Sequence, residues 1–79
     1  MPYIKQEDRW KFDTLPIPAN AGEIQYAIAF LAKLYMQSQG TSYQACNDVM
    51  GALAGAQLEF YRRTVAPYEE KKIKENGDV

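Results

Sequence analysis

The sequence predicts an all-α protein: a helical hairpin with a short N-terminal helical arm and a charged C-terminal helix, assembled as a homo-oligomer. Two long segments show helical periodicity, and each has its own start and stop residues. A chain of 79 residues allows one small helical domain, residues 1–79. A core of that size gives marginal stability by itself, so association with further copies is expected.

The N-terminal arm, residues 1–20, combines a short helix with a proline-rich segment. Two acids, Glu7 and Asp8, precede the base Arg9, an order that suits the dipole of a short helix within residues 5–14. The sequence Leu15-Pro16-Ile17-Pro18 then ends the helix, because proline lacks an N–H group and favours extended geometry in the residue before it. We expect the apolar side chains of this arm to lie against the helices.

The first long helix is predicted over residues 21–39. Asn20 is a good N-cap, Glu23 follows at the capping-box spacing, and Gly40 is a natural stop. Apolar side chains occupy nearly the whole circumference of this helix. One face carries Ile24, Ala27, Ile28, Leu31, Leu34 and Tyr35, and the opposite side carries Tyr26, Ala29, Phe30 and Met36. A monomeric hairpin cannot bury both faces.

The second long helix is predicted over residues 41–66, beginning at Thr41 or Ser42 with Gln44 at a capping-box spacing. Pro67 either kinks this helix or opens a new one, and a charged helix over residues 67–76 follows. The second long helix has three sides of different character. Cys46, Val49, Met50, Leu53, Phe60 and Tyr61 form the predicted core stripe; Ala45, Ala52 and Ala56 form a second patch; Gln44, Asp48, Gly51, Gly55, Glu59 and Arg62 share the remaining side.

The distribution of charge is the main reason for predicting assembly. Over residues 24–58, only Lys33 and Asp48 are charged. A hairpin fully surrounded by water would need a more polar surface. We therefore expect several copies to pack together and hide their second apolar faces.

Composition excludes several classes of site. The chain has no histidine and one cysteine, which excludes Cys/His zinc sites, Ser-His-Asp and Cys-His catalysis and an internal disulfide. Cys46 is expected to be a small buried hydrophobe. Acidic pairs such as Glu69-Glu70 are sequence neighbours that point in different directions on a helix. We predict no enzyme activity, no catalytic residue, no metal site and no cofactor.

The net charge of −1 argues against binding to long nucleic acids, which require a basic surface. The longest uncharged run contains several polar residues, so no membrane contact is predicted. The first residues lack the pattern of a signal peptide. A cytoplasmic protein is expected.

Residues 59–68 form the densest candidate for ligand binding. Arg62 and Arg63 offer forked donors suited to phosphate, and Tyr61 and Tyr68 offer rings for stacking on a base. Lys72 adds positive charge one turn later. The alternative is that these are ordinary surface ion pairs. In that case Glu59 pairs with Arg62 or Arg63, and Glu70 with Lys74.

Gly51 and Gly55 lie on the polar side of the second helix, where each costs about 1 kcal/mol relative to alanine. Close contact with a neighbouring helix is one explanation. The other is a bare backbone groove for a flat ligand, flanked by Gln44, Asp48 and Arg62. The two are compatible if the ligand binds between subunits. The C-terminal residues 76–79 are either a frayed tail or a segment that closes over a ligand through Asp78.

Much of the chain resembles a family of short uncharacterised all-helical proteins from phage and bacterial genomes. The resemblance rests on Asn-Asp-x-x-Gly-Ala-Leu from residue 47, Glu-Phe-Tyr-Arg-Arg-x-x-Ala-Pro-Tyr-Glu from residue 59, and Glu-Asn-Gly-Asp-Val at residues 75–79. It also includes residues 1–9 and 22–26. The resemblance implies the helical fold and a phage-associated setting, in which the relevant cytoplasm would be that of the host.

Two functions compete in that setting. In the first, the oligomer binds and sequesters a small anionic nucleotide-type ligand, a host immune signal, between its subunits. In the second, the protein is an interaction module, an inhibitor or adaptor of a host protein, with exposed Tyr and Arg anchors and no small-molecule ligand. The ligand-binding residues of the first hypothesis are Arg62, Arg63, Tyr61, Tyr68, Glu59, Asn47, Gln44, Gly51, Gly55 and Lys72.

Overall fold

A computed structural model describes residues 4–78, and all regular structure in that range is helical. The chain divides into two compact units, Met1–Gly40 and Thr41–Val79. The elements are a 3-10 helix at Gln6–Phe12, α1 at Ala21–Gln39, α2 at Tyr43–Phe60, a π-helical turn at Tyr61–Val65 and α3 at Ala66–Asn76. The all-α prediction is confirmed, whereas the hairpin and its assembly stay predictions. Residues 1–3 and 79, which the family resemblance includes, lie outside the described residues.

The start of α1 follows from its cap. The Asn20 side-chain oxygen accepts a hydrogen bond from the Glu23 N–H at 2.9 Å. The Glu23 carboxylate accepts from the Ala19 N–H at 2.7 Å, one residue earlier than in a standard capping box. At the other end Gly40 has φ of +81° and donates its N–H to the Met36 carbonyl. Both predicted signals of this helix are confirmed.

The start of α2 settles the choice between two candidate caps. The Ser42 hydroxyl accepts from the Ala45 N–H at 3.1 Å, so Ser42 and not Thr41 is the N-cap. Gln44 then occupies the second helical position, where its side chain cannot complete a capping box. Its amide instead donates to the Asp48 Oδ1 at 2.8 Å. The capping role expected for Gln44 is therefore wrong.

A π-helical turn interrupts the helix that was predicted to run unbroken over residues 41–66. The Ala66 N–H donates to the Tyr61 carbonyl, five residues earlier. Pro67 lies in the first turn of α3. In a regular α-helix the Pro67 ring would clash with the Arg63 carbonyl. Pro67 also has no N–H group with which to donate a hydrogen bond to that carbonyl. The wider π turn just before the proline relieves that conflict, and the chain continues as α3 to Asn76.

Burial differs from the predicted core stripe. In the described residues Ala45 is the buried apolar side chain, at 3% exposure, and it belongs to the patch predicted on the other side. Cys46, predicted to be buried, is exposed, and Met50 and Phe60 retain 67% and 61% of their surface. Size alone does not explain the difference, because Ala52 and Ala56 of the same patch are exposed. A helix face becomes buried only where another surface packs on it, and periodicity does not show where that happens.

The arm and α1 also expose their apolar side chains. Trp10 and Ile17 of the arm are 66% and 92% exposed, so the expected packing of the arm is not seen. An extended Pro-x-Pro segment makes few contacts of its own that could hold such side chains. On α1, both Ile28 and Phe30, from opposite sides of the helix, are 44% exposed. Neither face of α1 is buried in the described structure.

Candidate functional site

The junction of α2 and the π turn brings together one carboxylate and two guanidinium groups. We call Glu59, Arg62 and Arg63 the arginine cluster. Arg62 Nη2 donates to both Glu59 oxygens, at 3.1 Å and 2.9 Å. Arg63 Nε donates to Glu59 Oε1. The spacings of three and four residues place both bases over the same turn as the acid. The Glu59 pairs of the predicted ion-pair alternative are therefore observed, whereas the ion pair described on α3 joins Lys72 to Glu75.

The members of the arginine cluster differ in exposure. The side chains of Arg62 and Arg63 are 66% and 60% exposed, whereas that of Glu59 is 17% exposed. The cluster carries a formal charge of +1, and both guanidinium groups meet at one oxygen, Glu59 Oε1. Each guanidinium has five N–H donors, and the observed contacts use Nη2 of Arg62 and Nε of Arg63. The arrangement can hold an oxyanion from the solvent side.

Tyr61 is oriented by an acid that sequence reasoning did not include in the site. Its hydroxyl donates to Glu69 Oε1 at 2.8 Å. This hydrogen bond raises the pKa of Tyr61, and the negative charge of Glu69 raises it further. Eight residues of helix correspond to a rise of about 12 Å, beyond the three- and four-residue spacings that identify helix neighbours. The contact spans the π turn, which spacing alone did not reveal.

Tyr68 and Lys72 form a second pair on α3. The Lys72 ammonium lies 5.5 Å from the centroid of the Tyr68 ring, within range of a cation–π interaction. The same ammonium is 3.5 Å from Glu75 Oε1. The described contacts of Tyr61 and Tyr68 are thus with α3 residues rather than with the arginines. The use of either ring for stacking on a base stays a prediction.

The N-terminal half of α2 carries the remaining candidates. Gln44 and Asp48 are joined by their hydrogen bond, and Asn47 is exposed. A Cβ added at Gly51 or Gly55 would meet nothing within 4 Å in the described structure. No described residue outside the helix's own backbone therefore occupies the position that an alanine methyl group would take there.

Distance along the helix divides the predicted site. Gln44 and Arg62 are separated by 18 residues, a rise of about 27 Å in a helix of 1.5 Å per residue. One mononucleotide cannot touch both ends of that distance. The arginine cluster on one copy can therefore share a small ligand with Gln44 or Asn47 only if these come from another copy.

The described residues contain no group of three or more Cys, Asp or Glu side chains placed to hold a metal ion. A span across a membrane would need a longer or more apolar helix than any in the described part of the chain.

Comparison with known families gives one match. The sequence profile of a family described as a domain of unknown function, DUF6899, matches residues 1–79. The chain belongs to this family. The match confirms the resemblance to an uncharacterised family, while the motif and the phage or bacterial source stay predictions. No curated protein and no solved structure matches the chain.

Proposed function

We propose that this protein is a non-catalytic protein-protein interaction module that acts as an assembly of several copies, an inhibitor or adaptor of a host protein. The observation that carries the proposal is the exposure of large apolar side chains on both sides of α1. They are Ile24, Tyr26, Ile28, Phe30, Leu31, Leu34 and Tyr35. Exposed apolar surface of this extent is characteristic of interaction surfaces in soluble proteins.

The exposed area supports an interface of ordinary size. The seven side chains of α1 keep between 37% and 72% of their surface. With about 200 Å² for each fully exposed side chain, they present on the order of 700 Å² of apolar surface. A standard protein–protein interface buries about 800 Å² on each partner. Because these side chains lie on both sides of α1, the area is divided between two faces, which two separate contacts can cover.

The test measures mass in solution and perturbs α1. Sedimentation equilibrium of the wild type should give a multiple of 9.0 kDa. Leu31→Lys should shift the protein toward the single-chain mass, because a charge would then be buried in the interface. Gln25→Lys adds the same charge to the same helix between its two apolar sides and should leave the mass unchanged. A wild type that sediments as one helical 9.0 kDa chain would overturn the proposal.

A second candidate is sequestration of a small anionic nucleotide-type ligand between copies, in the host cytoplasm if the protein is phage-encoded. The specific observation in its favour is the convergence of two exposed guanidinium groups at Glu59 Oε1. Bidentate and paired guanidinium contacts are a frequent means of binding phosphate. Tyr61 and Tyr68 lie within two turns of them.

Thermal melts with a panel of cyclic and linear nucleotides test the second candidate. A nucleotide that binds the folded protein raises the melting temperature by an amount that grows with the logarithm of its concentration above the Kd, and Arg62→Ala should abolish the rise while assembly persists. Lys33→Ala, on α1, is the matched control because it removes one positive charge from the other unit. If no nucleotide of the panel raises the melting temperature, the second candidate is wrong and the protein-protein interaction module stays the proposed function.

A further inference from the structure

We propose that Arg62 and Arg63 form an oxyanion site that Glu59 occupies in the free chain, and that a phosphate monoester binds by displacing this carboxylate. The inference rests on the second candidate function and adds its regulation. Glu59 would then be a competitor of the ligand rather than one of its contacts, which reverses the role suggested for it by the sequence.

The contacts within the arginine cluster match the chemistry of such a ligand. Arg62 Nη2 lies 2.9 Å and 3.1 Å from the two Glu59 oxygens, and Arg63 Nε donates to one of them. A phosphate monoester has three terminal oxygens that share a charge of about −1.5 to −2 at pH 7, and guanidinium N–H groups donate to them as they donate to a carboxylate. The donors that hold Glu59 are therefore the donors that a phosphate would use.

The backbone allows the exchange without unfolding. Glu59 lies in the last turn of α2, and both arginines lie in the π turn that follows. Rotation of the Glu59 side chain withdraws the carboxylate, while the helix keeps the two bases next to each other. Because Arg62 and Arg63 are 66% and 60% exposed, a ligand reaches them from the solvent.

The electrostatic consequence gives the test. With Glu59 in place, a bound phosphate lies close to a like charge, which weakens its binding. Glu59→Gln keeps the shape of the side chain and removes its charge. Glu70→Gln makes the same change in net charge on α3, in the same unit of the chain, and serves as the matched control.

The experiment measures the binding of adenosine monophosphate and of inorganic phosphate by isothermal titration calorimetry. Glu59→Gln should lower the Kd for both by about tenfold at low salt, and the gain should shrink as salt screens the site. Glu70→Gln should change the Kd by less than about twofold. The double variant Glu59→Gln, Arg62→Ala should lose the gain.

Equal effects of the Glu59 and Glu70 substitutions, or weaker binding by Glu59→Gln, would overturn the proposal. Circular dichroism monitors folding. If Glu59→Gln loses helix, Glu59→Asp replaces it, because aspartate has a shorter side chain that reaches the arginines less well. Glu59→Asp should also lower the Kd, by a smaller factor. A gain for inorganic phosphate with none for adenosine monophosphate would overturn the proposal for a phosphate monoester and leave a site for the free anion alone. Tight nucleotide binding that Glu59→Gln leaves unchanged would support the nucleotide function and overturn the displacement of Glu59.

Discussion

Replacing Gly51 and Gly55 by alanine tests whether the folded protein has room for a methyl group on the polar side of α2. A Cβ at either position meets nothing within 4 Å in the described structure, so alanine brings no steric cost. Alanine also restricts the unfolded chain more than glycine does. Both substitutions should therefore raise the free energy of unfolding.

The expected size of the effect follows from helix propensity. Glycine costs about 0.8–1.0 kcal/mol relative to alanine inside a helix, so the double variant should gain about 2 kcal/mol. For 79 residues the entropy of unfolding is about 170 cal/mol/K, which converts this gain into a rise of about 10 °C in Tm. Thermal melts followed by circular dichroism resolve a shift of that size.

Gly40→Ala is the matched control. A Cβ at Gly40 also meets nothing within 4 Å, but the φ of +81° is strained for alanine, so its Tm should fall. A fall in Tm for the Gly51 and Gly55 variant, or a loss of assembled mass, would refute the reasoning. It would show that another helix or a ligand packs against these glycines.

The helix starts, the Tyr61 hydrogen bond and the Cys46 thiol each allow a further test. Asn20→Ala and Ser42→Ala should each lower the free energy of unfolding by about 1 kcal/mol in urea titrations, because each removes an N-cap; no change would contradict the capping. Glu69 raises the pKa of Tyr61, so its stabilising effect is complete below the ordinary tyrosine value of about 10 and is lost as pH rises through the raised pKa. The difference in absorbance titration between wild type and Tyr61→Phe should show this pKa, and Glu69→Gln should return it to the ordinary range. Exposed Cys46 should react with an aromatic disulfide reagent about as fast in the native protein as in urea, and strong protection would contradict its exposure.

Most of the local structure could be predicted because its causes lie close together in sequence. The Asn20 cap has its partner three residues away, and the φ of +81° at Gly40 and +83° at Gly77 makes them helix stops. The ion pairs of Glu59 were likewise among the predicted alternatives, since three- and four-residue spacings define neighbours on a helix. In such cases the polypeptide specifies the contact whatever surrounds it.

The burial pattern and the finer site geometry could not be predicted in the same way. Helical periodicity marks a face as apolar but does not say what covers it, and Cys46 is exposed where the pattern predicted burial. The π turn arises from the conflict between Pro67 and the preceding carbonyl, which a helix can resolve by kinking, ending or widening. Tyr61 reaches Glu69 across that turn, a pairing outside the usual spacings.

The amino-acid sequence by itself determined where α1 begins and ends and where α3 ends, because caps and glycine stops act over a few residues. It also determined that α1 is apolar on nearly every side. Only the structure decided that Glu59 contacts both arginines at once and that Tyr61 contacts Glu69. The carboxylate of Glu59 occupies both arginines, and Tyr61 is held by α3, because side-chain pairing depends on the path of the backbone through the π turn.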